Sequence, residues 1–228
     1  MSKKIKDTFT RIHRHYDFFN HLFSMMADIE WRRDAAMETI MPKRSYAVLD
    51  VATGTGDLAI AISRAARSSG RIARITATDF NTHMLSHAKE KAVRMGIKDI
   101  KFEEGDALRT GYPDSTFDVV TSGFALRNFD SLDKFAAEAS RVTKRGGRIV
   151  MLDMAKPDRT PQFMKAYFKV LEAVGSLVAK NAYRWLTYSI MKFDKEKAAG
   201  IFRRHGFTDV KITNLRYGVA FMITGTKG

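Results

Sequence analysis

At 228 residues, 45% hydrophobic and 28% charged, the chain has the size and make-up of one soluble globular domain with an adequate core. The absence of cysteine excludes disulfides, thiol catalysis and cysteine metal sites, and agrees with a reducing compartment. A formal charge of +14 suits anionic partners such as nucleic acid or lipid headgroups, yet Lys and Arg are spread along the whole chain without an Arg-Gly tract, RNP-type motif or zinc-finger spacing, so a generally cationic surface is expected and nucleic acid is not the expected partner.

The opening Met1-Ser2-Lys3-Lys4-Ile5-Lys6 lacks the apolar core of a secretion signal, and no stretch approaches the roughly 20 apolar residues of a membrane span. A cytoplasmic location is expected. Residues 1–41 read as an N-terminal helical cap. Within it, Tyr16-Asp17-Phe18-Phe19-Asn20-His21-Leu22-Phe23-Ser24, with Trp31-Arg32 further on, alternates polar and aromatic residues too tightly for one helical face.

The next segment, Val48-Leu49-Asp50-Val51-Ala52-Thr53-Gly54-Thr55-Gly56-Asp57, is an apolar strand, an acid and a glycine turn, as at the opening of a Rossmann-like nucleotide site. Gly54 and Gly56 let the backbone turn and approach a ligand, and residues 57–66 read as the covering helix. Gly54 to Ala59 also fits G-x-G-x-x-A, so a nicotinamide or flavin dinucleotide competes with S-adenosylmethionine (SAM). Asp57 tips the balance. A carboxylate at the helix start repels a pyrophosphate, and with Asp50 it suits a ligand carrying an ammonium and a sulfonium. The competing reading is that Asp57 is an ordinary helix-start acid.

Two further acids follow at strand ends. Strand 72–78 runs into Asp79 and Phe80, about twenty residues beyond the glycines, where an acid can accept both ribose hydroxyls. After helix 81–95, strand 101–104 leads to Asp106-Ala107, where a carboxylate can bond the adenine amino group. Three acids at successive strand ends point to SAM more firmly than any one of them.

Residues 117–121 read as a fourth strand, 131–143 as an amphipathic helix, Gly146-Gly147 as its stop signal and 148–153 as a fifth strand. Right-handed crossovers make this a parallel, doubly wound sheet. Between residues 157 and 193 an insertion carries Phe163, Tyr167, Val170, Leu171, Val174, Leu177 and Val178 on one helical stripe, expected as a lid over the carboxyl edge. Residues 195–205 read as a helix stopped by Gly206, and 207–213 with 219–226 as a closing antiparallel hairpin. The expected fold class is α/β: one domain, 1–228, built on a Rossmann-like seven-stranded sheet.

Several longer motifs resemble a known family. Tyr16-Asp17, Asn20, Ser24 and Trp31-Arg32 resemble the entrance motif of the ubiquinone/menaquinone biosynthesis C-methyltransferases, and Arg141 to Ile149, continuing through Leu152-Asp153 to Lys156-Pro157, resembles their second motif. Phe124-Ala125-Leu126-Arg127-Asn128, Gly175 to Ala179, and Asn214-Leu215 with Gly218-Val219 match as well, so the resemblance covers nearly the whole chain. The family usually has Met at Phe19, His at Asp28, Pro at Arg145, Glu at Asp153 and Ser at Ala155, and its cofactor-contacting serine stands at Gly123, one place after Ser122.

The resemblance implies SAM as cofactor, with Thr55, Asp79, Asp106 and Ala107 among its contacts beside Asp50, Gly54, Gly56, Asp57, Phe80 and Ser122. It implies methylation of a ring carbon of a demethylated isoprenoid quinol, without a metal. Arg127 is then expected to stabilise phenolate-like charge, Asn128 and Tyr16 to orient the ring hydroxyls, and Asp17 or His21 to accept a proton. A structural salt bridge is the alternative for Arg127, and an ordinary surface or core histidine for His21. A prenylated quinol as substrate also implies peripheral contact with the inner face of the cell membrane. Open alternatives are methylation of RNA or of a small hydrophobic phenol, and an NAD-dependent oxidoreductase. Oligomeric state is not legible, a homodimer being one expectation.

Overall fold

The computed structural model describes residues 24, 26–157 and 187–228. The expectations placed on Tyr16, Asp17, Phe19, Asn20 and His21, and on the stripe from Phe163 to Val178, lie outside the described residues.

Seven strands form one sheet: β1 Ser45–Val51, β2 Ile72–Asp79, β3 Ile100–Glu104, β4 Phe117–Gly123, β5 Thr143–Met154, β6 Phe207–Asn214 and β7 Ala220–Lys227. Their spatial order is β3-β2-β1-β4-β5-β7-β6. The first five run parallel to one another, whereas β7 runs antiparallel between β5 and β6. The expected closing hairpin is present, and its second strand is the one that joins the sheet interior.

Helices cover both faces. Among the described residues they include α1 Ala27–Glu38, α2 Asp57–Ser68, α3 Thr82–Arg94, α4 Leu132–Val142 and α5 Lys195–Arg204. Strand alternation divides the core into two layers: Tyr46 and Val48 of β1 join Trp31, Ala35, Leu58 and Ile62 on one side, while Leu49 and Val51 join Phe135, Ala139, Ala198 and Phe202 on the other. Burial on both faces explains why β1 reads as an almost unbroken apolar run. Three helices start on side-chain caps at the positions the sequence offers: Asn81 accepts from the amides of His83 and Met84, Ser131 from that of Lys134 and Asp194 from that of Lys197. Trp31 Nε1 donates to the carbonyl of Arg216 at 3.2 Å, which ties α1 to the turn before β7. No helix among the described residues is long and apolar enough to cross a membrane.

One boundary differs from expectation. Gly146-Gly147 does not stand between helix and strand but inside β5, which begins at Thr143 directly after α4. Gly146 has φ 71°, and the β4–β5 register shifts between Phe117 and Val119, so the pair forms a bulge. A Cβ on Gly147 would stand 2.7 Å from the Lys144 carbonyl oxygen and 2.9 Å from that of Asp118. Gly147→Ala is therefore expected to destabilise the fold by about 1–3 kcal/mol or more through overpacking against backbone that has nowhere to go; equilibrium urea unfolding measures it.

Candidate active site

Between β1 and β4 the strand order reverses, and a ligand crevice forms at the carboxyl ends of strands about such a point. A cavity opens there. Its floor and turn side come from Ala52 and Gly54, and its β2 side from Asp79, Phe80, Asn81 and Met84. Gly105, Asp106, Ala107 and Leu108 follow β3, and Gly123 to Ala125 with Asn128 to Asp130 follow β4.

The glycines divide the labour. Gly54 has φ 57°, and a Cβ there would meet nothing within 4 Å, because its open side is the cavity. Gly56 has φ 80° and faces the other way: a Cβ would stand 3.0 Å from that of Ala88 and 3.1 Å from the Phe102 ring. It permits close packing of α3 and β3 behind the turn rather than approach to a ligand.

Asp79 is the best-defined polar group in the wall. Burial raises its pKa above the ordinary aspartate value, while the backbone amides of Asn81, Gly54 and Phe80 favour the carboxylate. Oδ2 accepts from the Gly54 amide and Oδ1 from the Asn81 amide, both at 2.8 Å. A carboxylate has about four lone-pair sites, so these bonds fix its orientation and leave capacity for a ligand hydroxyl. Asp106 stands at the exposed mouth, Oδ1 accepting from the Leu108 amide at 2.9 Å. Phe80, Met84, Ala107 and Leu108 give apolar surface between the two acids. Oriented acceptors flanking an apolar slot fit a nucleoside with a free ribose diol and an exocyclic amino group.

Deeper in the same cavity, Asn128 ends the 3-10 turn Leu126–Asn128, and its Oδ1 is buried without a hydrogen-bond partner. Buried polar atoms are rarely left so, and at a cavity wall such an acceptor is open to a ligand donor. Phe124 and Phe129 line the same cavity.

Other expected contacts lie elsewhere. Asp57 does not line the cavity: its carboxylate bonds Lys91 Nζ at 2.7 Å and stands 3.8 Å from Arg32 Nη2. Its charge is neutralised within the fold, so the acids of the cavity lining are Asp79, Asp106 and Asp130. Asp50 lies beneath the turn, fully buried, accepting from Thr121 Oγ1 and Thr53 Oγ1 at 2.6 Å each. Thr55 is buried outside the cavity lining. Ser122 is also fully buried, and its hydroxyl donates to the Val51 carbonyl at 3.1 Å, joining β4 to β1. Arg127 is turned to the protein. Nε donates to Asp153 and Nη1 to Ser189 Oγ at 3.0 Å, with the Arg127 and Asp153 side chains 4% and 0% exposed, so the ion-pair alternative describes it.

Asp50 gives a testable pH dependence. Burial, with the nearby Asp79 charge adding, pushes its pKa from 3.8 up to about 6, against the lowering effect of the threonine hydroxyls and Arg32. The folded state thus holds this proton more tightly than the unfolded chain, so the contribution to stability is present below the unfolded pKa and is lost as pH rises to about 6, a change of roughly 3 kcal/mol. Asp50→Asn lacks this dependence. The stability of wild type relative to that variant is expected to fall between pH 4 and pH 7, read from urea midpoints of the ligand-free proteins.

Lining residues that the sequence did not single out include Ala52, Asn81, Met84 and Phe129. Asn81, two residues after Asp79, was legible only as the start of a helix. Ala52, whose φ is 51°, gives no such signal.

Comparison with known proteins adds an independent line. The chain matches the ubiE/COQ5 methyltransferase family over residues 1–227. It is 39% identical to a demethylmenaquinone methyltransferase of Deinococcus radiodurans, covering 98% of this chain and 92% of that protein. A demethylmenaquinone methyltransferase of Bacteroides fragilis is 34% identical, with 99% and 93% covered. Among solved structures, a SAM-dependent methyltransferase from Aquifex aeolicus superposes with a TM-score of 0.61 at 18% identity, covering 86% of this chain and 89% of that one. Phosphoethanolamine N-methyltransferase 2 of Haemonchus contortus in complex with SAM gives 0.64 at 14% identity, with 87% and 52% covered. At such identities these structures speak for the fold.

Proposed function

Because the chain belongs to the ubiE/COQ5 methyltransferase family and is a SAM-dependent methyltransferase, we propose that it methylates a ring carbon of a demethylated isoprenoid quinol of the demethylmenaquinol type. What supports the reading is that Asp79 and Asp106 line the same cavity as Asn128, whose buried Oδ1 is unpaired, and the aromatic residues Phe124 and Phe129. The names of the full-length relatives supply the substrate class.

The cofactor supplies an electrophilic methyl group on a sulfonium. Asp79 would hold the ribose diol and Asp106 the adenine amino group, while the open side of Gly54 would let backbone approach the same ligand. Asn128 accepts a hydrogen bond from a quinol hydroxyl, orienting the ring and raising its electron density. With the ring held so, its carbon would take the methyl group as the sulfur–carbon electron pair stays on sulfur, and loss of the ring proton would restore aromaticity. Tyr16 as an orienting group and Asp17 or His21 as proton acceptor belong to this proposal through the family resemblance. Arg127 contributes by fixing the turn that presents Asn128. The +14 surface would favour contact with an anionic bilayer, where a prenylated acceptor resides.

The test is turnover with SAM and demethylmenaquinol in anionic liposomes, read by mass spectrometry of the extracted quinone. Gain of one ring methyl group supports the reading. An unchanged quinol, with methyl transfer to RNA or to a soluble phenol under the same conditions, would sink it.

A further inference from the structure

Phe124 walls the cavity with φ 60°, a conformation that a bulky aromatic residue keeps only where its surroundings impose it. Those surroundings come from α1 and β5. The Phe124 amide donates to the Leu152 carbonyl at 2.7 Å, the Trp31 ring lies 6.5 Å away at 54°, and the Arg32 guanidinium carbon stands 5.0 Å from the Phe124 ring centroid. Arg32 is itself buried and anchored: Nη1 bonds Asp28 Oδ2, and Asp28 Oδ1 accepts from Ser24 Oγ at 2.6 Å. Its Nη2 reaches toward Asp57, the first residue of α2 after the glycine turn. One buried guanidinium thus touches the cavity wall and the helix that begins at that turn.

We propose that Arg32 is a positioning residue for the cofactor, seating the Phe124 ring against the cavity so that this wall is built before SAM enters. A planar guanidinium can lie over an aromatic face while its fork holds carboxylates on its edge, whereas a lysine ammonium is a point charge without such a face. Arg32→Lys therefore keeps a cation beside Asp28 and Asp57 and removes what holds the ring. Phe124→Leu removes the ring and keeps every ion pair. Both leave the SAM-facing carboxylates of Asp79 and Asp106 untouched.

The experiment is a double-mutant cycle on SAM affinity by calorimetry, with thermal unfolding of each ligand-free variant alongside. Each single variant is expected to bind SAM about five- to tenfold more weakly, and the double variant to stay within about twofold of Phe124→Leu, because Arg32 acts through the ring. A purely structural role would lower the unfolding temperature without moving the affinity. The proposal is overturned if either single variant binds SAM as wild type does, or if the two losses multiply in the double variant. Should Arg32→Lys fail to fold, Phe124→Leu decides alone: weakened binding supports the proposal and unchanged binding overturns it. The readout needs no acceptor, so failure of the quinol assignment leaves it intact.

Discussion

Asp79→Ala is expected to abolish measurable SAM binding at concentrations that saturate wild type. The carboxylate is fixed by the Gly54 and Asn81 amides at 2.8 Å each and lines the cavity, where the ribose hydroxyls of the cofactor would donate to it. Hydrogen bonds to a charged acceptor contribute about 1.5–3 kcal/mol each, so losing two weakens binding by about two to four orders of magnitude. Stability responds less simply. Alanine leaves the backbone donors of Gly54, Phe80 and Asn81 without this acceptor, at about 1–3 kcal/mol apiece, while removing a carboxylate whose burial is itself unfavourable. The two tendencies oppose, and a modest net loss is expected. Titration calorimetry read beside thermal unfolding separates them: a variant that folds as wild type and binds SAM within threefold of it would show that Asp79 is a turn anchor and nothing more.

The second large effect concerns the turn that presents Asn128. Asp153 is fully buried at the end of β5 and receives the Arg127 guanidinium together with the amides of Arg127, at 3.2 Å, and Met154, at 2.6 Å. Asp153→Ala strands a buried cation and is expected to cost about 3–5 kcal/mol. Replacing both partners by apolar residues, as in Arg127→Met with Asp153→Leu, removes the uncompensated charge and is expected to recover most of that loss, because a buried pair is worth little against well-packed apolar groups. Turnover is expected to follow stability, since the guanidinium is already neutralised within the protein. A double variant as stable as wild type but inactive would restore to Arg127 a direct part in stabilising charge on the acceptor ring.

How far the sequence reveals this arrangement depends on the kind of residue. Apolar alternation and turn chemistry place β1, α2 and β2 to within a few residues, because burial on both faces of a parallel strand and capping at a helix start each leave a local pattern. Asp79 and Asp106 are legible for a similar reason: an acid at a strand end has few directions in which to point. Asp57 and Ser122 are not, since their partners come from distant segments, Lys91 on α3 and the Val51 carbonyl on β1. Spacing along a chain cannot tell a carboxylate that faces a ligand from one that faces a lysine 34 residues away. The glycine pair of β5 was misplaced because a bulge depends on the approach of the neighbouring strand, and Lys144 and Asp118 set that approach only in three dimensions. The left-handed backbone of Ala52 and Phe124 leaves no trace in residue type at all.

The placement of β7 bears on how the molecule is made. Until residues beyond β6 have emerged from the ribosome, β5 presents an unsatisfied row of amides and carbonyls, and Arg148 must wait for a partner as distant as Thr226. Nascent chains of this protein therefore pass through a stage in which a long apolar strand edge stands open to other chains, a circumstance that favours aggregation during fast synthesis and makes slow expression or holdase chaperones a benefit to yield.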